Sequence, residues 1–136
     1  SNLVCSSLLH DYGHFIIENP NHLVSKEEDG KHEDLGYEFL KKYFVKDVVG
    51  PIKYHVKAKK YLARDENYYK TLSKASKISL KLQGGIMNNN EAKEFENNEF
   101  FEDSIKLRKF DEIAKKAGLN IKSINEYKNL LISKLI

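Results

Sequence analysis

The chain is poor in the residues that would mark several protein classes. Its 136 residues include one cysteine, Cys5. That excludes an intramolecular disulfide framework and predicts a reducing compartment, the cytoplasm. Tryptophan is absent, Met87 is the one methionine, and Pro20 and Pro51 are the two prolines. No apolar run approaches the roughly 20 residues that cross a bilayer, so no membrane partner is expected. No signal-peptide pattern is visible. Charge of one sign is lacking too: 23 Lys+Arg face 20 Asp+Glu, a formal net charge of +3. So small an excess gives no footprint for nucleic acid, and none is expected as a partner. Arg64 and Arg108 are the two arginines, and lysine supplies every other basic residue. The apolar–polar alternation of strands is nowhere sustained.

What is present suits a single helical domain. Hydrophobic residues make up 40% and charged residues 32%, enough apolar material for a core. A helical pattern over 3–17 weakens at Gly13 and stops at Glu18-Asn19-Pro20, and 18–30 reads as a loop. A second helix is predicted over 32–44. A third starts near Val48 or Pro51, with Pro51 in its first turn, and runs to about Leu62. A short tyrosine-rich helix follows over 65–72. Ser73 caps the next, which ends at Gly84-Gly85. An acidic helix is predicted over 91–96, a long one over 99–117 stopped by Gly118, and a last one over 124–135. Ser123 and Glu126 have capping-box spacing before that last helix. The expected fold is one all-α domain of seven or eight helices covering 1–136.

The five histidines are His10, His14, His22, His32 and His55. His10 and His14 share a helical face, and Asp11 adjoins it, so the three can point toward one cavity. His32 falls at the start of the second helix, His55 within the third and Asp111 within the long one. Imidazole and carboxylate together suit iron, zinc or manganese. A carboxylate beside a ligating histidine can bridge two metals, and ligands drawn from separate helices are what a bundle site requires. Any one of these histidines alone has an ordinary packing explanation, and His22 keeps it. The set in this order is less easily explained that way.

Three further features bear on substrate. Lys59 lies four residues after His55, on the same face. Ser76, Ser79 and Gln83 form a polar stripe at i, i+3 and i+7, apart from an apolar stripe of Ala75, Ile78 and Leu82. Hydroxyls and an amide there suit a small anion. Arg108 precedes Asp111 by one turn; its planar fork can grip an anion, or it can simply pair with Asp111 or Asp103.

The order His-Asp, His, His, Asp resembles the HD-domain superfamily of metal-dependent phosphohydrolases and related oxygenases. Leu8-Leu9-His10-Asp11-Tyr12-Gly13-His14 resembles its LLHDxGH signature. His32-Glu33-xx-Gly36 with Leu40 resembles HExxGxxxL. Pro51-Ile52-xx-His55-Val56-x-Ala58-Lys59-x-Tyr61-Leu62 resembles PIxxHVxAKRYL. The run Leu72-Ser73-x-Ala75-Ser76-xx-Ser79-Leu80-x-Leu82-Gln83-Gly84-Gly85 with Met87 is the most distinctive. It is similar to the HD-domain oxygenases of phosphonate degradation. Leu107-Arg108-x-Phe110-Asp111 stands for a segment in which tryptophan is usual at the Phe110 position.

The resemblance implies an HD helical bundle holding a mixed-valent Fe(II)/Fe(III) pair. His10, Asp11 and Asp111 would serve one iron, and Asp11, His32 and His55 the other, with Asp11 bridging. His14, Lys59, Ser76, Ser79, Gln83 and Arg108 would bind substrate. The implied reaction uses O2 to cleave the carbon–phosphorus bond of 2-amino-1-hydroxyethylphosphonate, giving glycine and phosphate. Two readings stand beside it: an HD phosphohydrolase of nucleotides or phosphate esters, and a non-enzymatic domain that keeps the fold. The HD pattern also has a histidine on an upstream helix, and none precedes His10 here. The expectation is an N-terminally incomplete HD domain lacking its first helix. Its Asp11/His32/His55 site would form, while its His10/Asp11/Asp111 site would be weak and activity impaired. Oligomeric state carries no signal in the sequence.

Overall fold

The computed structural model describes residues 2–11, 13, 32–117 and 127–136. Eight helices are present among them: α1 (Asn2–Leu9), α2 (His32–Leu40), α3 (Lys46–Leu62), α4 (Glu66–Thr71), α5 (Lys74–Leu82), α6 (Asn89–Glu96), α7 (Phe101–Ala117) and α8 (Lys128–Ser133). The described residues contain no strand, only an isolated antiparallel bridge between Phe44 and Leu135. The chain is an all-α bundle. Gly118, Ser123 and Glu126 lie outside the described residues.

The central helix is α3, which packs against α7, α2 and α1. Its first half shares a core of Cys5, Leu40, Val48, Val49 and Ile52, with Leu130 and Leu131 of α8 against it. Its second half meets Met87, Ala92 and Phe95 through Ala58. A third cluster joins Ala63 to Leu72 and Leu80 beneath α4 and α5. Burying these apolar faces is the main driving force for the bundle.

Several predicted boundaries hold. Asp65 caps α4 by accepting from the Asn67 and Tyr68 amides, and the Ser73 hydroxyl caps α5 through the Ser76 amide. Gly84 and Gly85, at φ 106° and 80°, end α5 in backbone that side chains disfavour. Asn88 and Glu91 form a capping box ahead of α6.

Two expectations need correction. The third helix begins at Lys46, so Pro51 sits in its second turn and leaves the Asp47 carbonyl without the usual helical donor. The cause is distant: the Val45 amide donates to the Lys134 carbonyl at 3.0 Å, holding Val45 extended just before the helix. The second helix stops at Leu40 and passes through a turn into the Phe44–Leu135 bridge. On α5, Ile78 and Leu82 of the apolar stripe are exposed, and Leu80 is the buried apolar residue.

One close approach ties the end of α1 to α2. A Cβ on Gly13 would sit 1.7 Å from the His32 carbonyl oxygen, so only glycine lets the segment after α1 cross the start of α2.

Candidate metal centre

The turn ending α1 carries His10 and Asp11, and helices α2, α3 and α7 present His32, His55 and Asp111 to the same space. The Ser6 hydroxyl donates to the Val48 carbonyl at 2.6 Å, fixing α1 on α3 ahead of that turn. His55 and His32 are buried, at 2% and 4% exposure, while the Asp11 side chain is 53% exposed.

Among the described residues, Asp11, His32 and His55 bring one donor atom each to within 4.8 Å of one another. Asp11 Oδ1 lies 3.4 Å from His32 Nε2 and 3.8 Å from His55 Nε2. Asp11 Oδ2 lies 3.2 Å from His10 Nε2, which is 3.6 Å from Asp111 Oδ1. Asp11 thus stands between two histidine groups, one oxygen toward each.

Tautomers follow from the backbone. His55 Nδ1 lies 2.6 Å from the Ile52 carbonyl and His10 Nδ1 2.6 Å from the Ser7 carbonyl. Each Nδ1–H donates there and turns Nε2 toward the cavity, the arrangement metal-binding histidines use. His32 Nε2 and His55 Nε2 are only 2.9 Å apart. Lone pairs from several histidines and carboxylates therefore converge on one small volume. Such a set needs protons or cations between its members, so the residues fit a bound metal.

The electrostatics agree. Burial pushes His55 down to about 3, helped by charge on His10 and His32, so it stays neutral as a ligand must. Burial opposes the Asp11 charge, but hydrogen bonds from His10 and His32 outweigh it and hold the carboxyl far below its usual range. His10 loses some basicity to burial, yet the adjacent Asp11 carboxylate raises it overall.

The rest of the lining is polar in a different way. A cavity of about 240 Å³ runs from Asp11, His32 and His55 to Lys59, Ser76, Ser79 and Gln83, with Arg108 and Asp111 on its flank. Lys59 is buried and donates to Ser79 Oγ at 2.9 Å. Gln83 Oε1 is buried with no hydrogen-bond partner among the described residues. Phe110 is exposed on α7 and does not line the cavity. His14 lies outside the described residues, as does His22.

No family model matches the chain. Known proteins do. A hydroxymethylphosphonate dioxygenase of Gimesia maris is 41% identical over 128 residues, covering 91% of this chain and 63% of that protein. The glycine-betaine-forming [1-hydroxy-2-(trimethylamino)ethyl]phosphonate dioxygenase of Leisingera caerulea is 41% identical over 118 residues, covering 86% of this chain and 60% of that protein. Over most of its length the chain is similar to these two phosphonate dioxygenases. An uncharacterized protein of Acanthamoeba polyphaga mimivirus is 37% identical over 139 residues, covering 99% of this chain and 63% of that one. The chain spans about three fifths of the length of these relatives.

The cavity gathers every sequence-predicted site residue within the described set except His10, which contacts Asp11 and Asp111. Sequence reasoning missed four participants. Val56 and Ala75 give the cavity an apolar side. Glu112 and Tyr68 hold Arg108. Glu112 was findable, four residues after Arg108 on the same face. Tyr68 carried no local signal. No helix among the described residues is long and apolar enough to cross a membrane.

Proposed function

We propose that this protein is a di-iron oxygenase of the HD type that cleaves the carbon–phosphorus bond of a small 1-hydroxyalkylphosphonate with O2. The observation that carries the reading is one cavity lined both by a histidine–carboxylate cluster and by a buried lysine with hydroxyls and an amide. The activities for which two relatives are named supply the substrate class.

Asp11, His32 and His55 would hold one iron, and His10, Asp11 and Asp111 the second, with Asp11 shared. Bound iron supplies the redox chemistry with O2 that no side chain here can perform. The chain's own residues bind and orient. Lys59 offers a buried cation to the phosphonate oxygens, and Ser76 and Ser79 add hydroxyl donors. Gln83 Oε1 suits a hydroxyl donor on the substrate. Val56, which is buried, would keep water from one side of the reacting carbon. His14 would stand beside the substrate. For 2-amino-1-hydroxyethylphosphonate the balance is substrate plus O2 giving glycine plus phosphate. Hydroxymethylphosphonate and the trimethylamino compound share the same reacting group.

The test is phosphate release by iron-loaded protein from these three hydroxyphosphonates, with and without O2. Release that requires O2 is expected. Release without O2 from a phosphate ester instead would make the protein a phosphohydrolase, and no release from iron-loaded protein would sink the proposal.

A further inference from the structure

Arg108 flanks the cavity, yet each of its nitrogens already has an acceptor. Nε donates to the Tyr68 hydroxyl at 3.3 Å, Nη1 to Asp111 Oδ2 at 3.4 Å, and Nη2 closely to Glu112 Oε1. The two carboxylates are on consecutive residues of α7, and both are 13% exposed.

Tyr68 is itself held firmly. Its amide is capped by Asp65 Oδ1 at 3.4 Å, and its carbonyl accepts from Thr71 Oγ1 at 2.6 Å. Its ring packs against the Ala63, Leu72 and Leu80 cluster. An apolar body is anchored while the hydroxyl reaches Arg108 and, at 3.5 Å, Glu112. Such a grip removes the rotamer freedom of a long arginine side chain.

We propose that Tyr68 and Glu112 are positioning residues that clamp Arg108 so that it orients the Asp111 carboxylate at the metal centre. This clamp rests on the metal-centre reading under Proposed function. Ligating carboxylates are commonly set by such outer partners, whose loss costs roughly 10–100-fold in metal affinity.

The experiment titrates the full chain with Co(II) under anaerobic conditions, following the visible spectrum and the number of ions bound. Wild-type protein is expected to bind in two steps, and Asp111→Asn should remove the weaker. Tyr68→Phe and Glu112→Gln should each weaken that step by about tenfold. The stronger step should be unchanged, and in the Asp111→Asn background neither should have further effect. If both steps weaken together in either variant, or the weaker step is unmoved, the clamp is overturned. A single step indifferent to Asp111→Asn also overturns it while leaving the Asp11/His32/His55 site standing. Absence of any cobalt binding would instead bring down the metal-centre reading on which the clamp rests.

Discussion

His32 and His55 project from helices that pack on each other in the core, whereas Asp11 sits on the turn after α1 with half its side chain in solvent. His10 and Asp111 lie between these extremes, each 13% exposed. The two halves of the candidate centre therefore differ in what holds them. The His32/His55 half is fixed by the same burial that stabilises the bundle. The His10/Asp111 half depends on hydrogen bonds: Ser7 to His10, and the arginine grip on Asp111. A site built by packing tolerates little change but keeps its geometry without a metal. One built from polar contacts is easier to loosen and easier to tune.

The sharpest way to break this comparison is to remove a ligand from the packed half. His55→Ala should cost more metal affinity than the roughly 10–100-fold typical of an outer partner, and abolish O2-dependent phosphate release. Metal content after iron loading is the check. Retention of full metal would show that the packed half is not a ligand set.

Gly13→Ala comes next. The added methyl meets the His32 backbone carbonyl, which cannot swing aside as a side chain would. A loss of about 1–3 kcal/mol is expected from thermal or denaturant unfolding, with weakened metal binding through displacement of Asp11. Unchanged stability would contradict the close crossing.

Lys59→Met keeps the buried stem and removes the charge. It should weaken phosphonate binding by about 1.5–3 kcal/mol, the worth of a charge-assisted hydrogen bond, while leaving metal content alone. Equilibrium binding of a non-reactive alkylphosphonate would show it. A loss of metal instead would place Lys59 in the structure of the centre, not in the anion's path.

The mildest test is acid. His10 is raised overall by its carboxylate neighbours, and His55 is pushed down to about 3 by burial. As pH falls, protons should claim His10 well before His55. Metal at the Asp111 side is thus expected to leave at a higher pH than metal at the His32 and His55 side. Bound-metal counts across a pH series would reveal two releases, and a single shared release would erase the distinction.

Much of the fold and the candidate site was legible in the sequence, and the limits have physical causes. Caps are local chemistry, so Ser73, Asn88 and the Gly84-Gly85 stop could be read from their neighbours. The His-Asp pair and the later histidines were legible as a candidate cluster because few residue types can hold a metal. The α3 start at Lys46 was not, since it is set by residues 134–136, far along the chain. Nor was Tyr68, because its hydroxyl meets Arg108 only after α4 and α7 pack together. Which side of α5 meets the core was not legible either: Ile78 and Leu82 are exposed, and the core reaches α5 through Leu80.

The bridge between Phe44 and Leu135 has a consequence for assembly. The Val45 amide and the Tyr43 carbonyl are both engaged by residues 134–136, so the start of α3 waits for those residues to arrive. On a ribosome, the helix that bears His55 and Lys59 emerges long before its anchor does. Contacts between such distant positions slow folding, because a long loop must close before they form. Until then, the apolar residues of α1 and α3 have to remain covered by other means, which makes newly made chains the stage most exposed to aggregation.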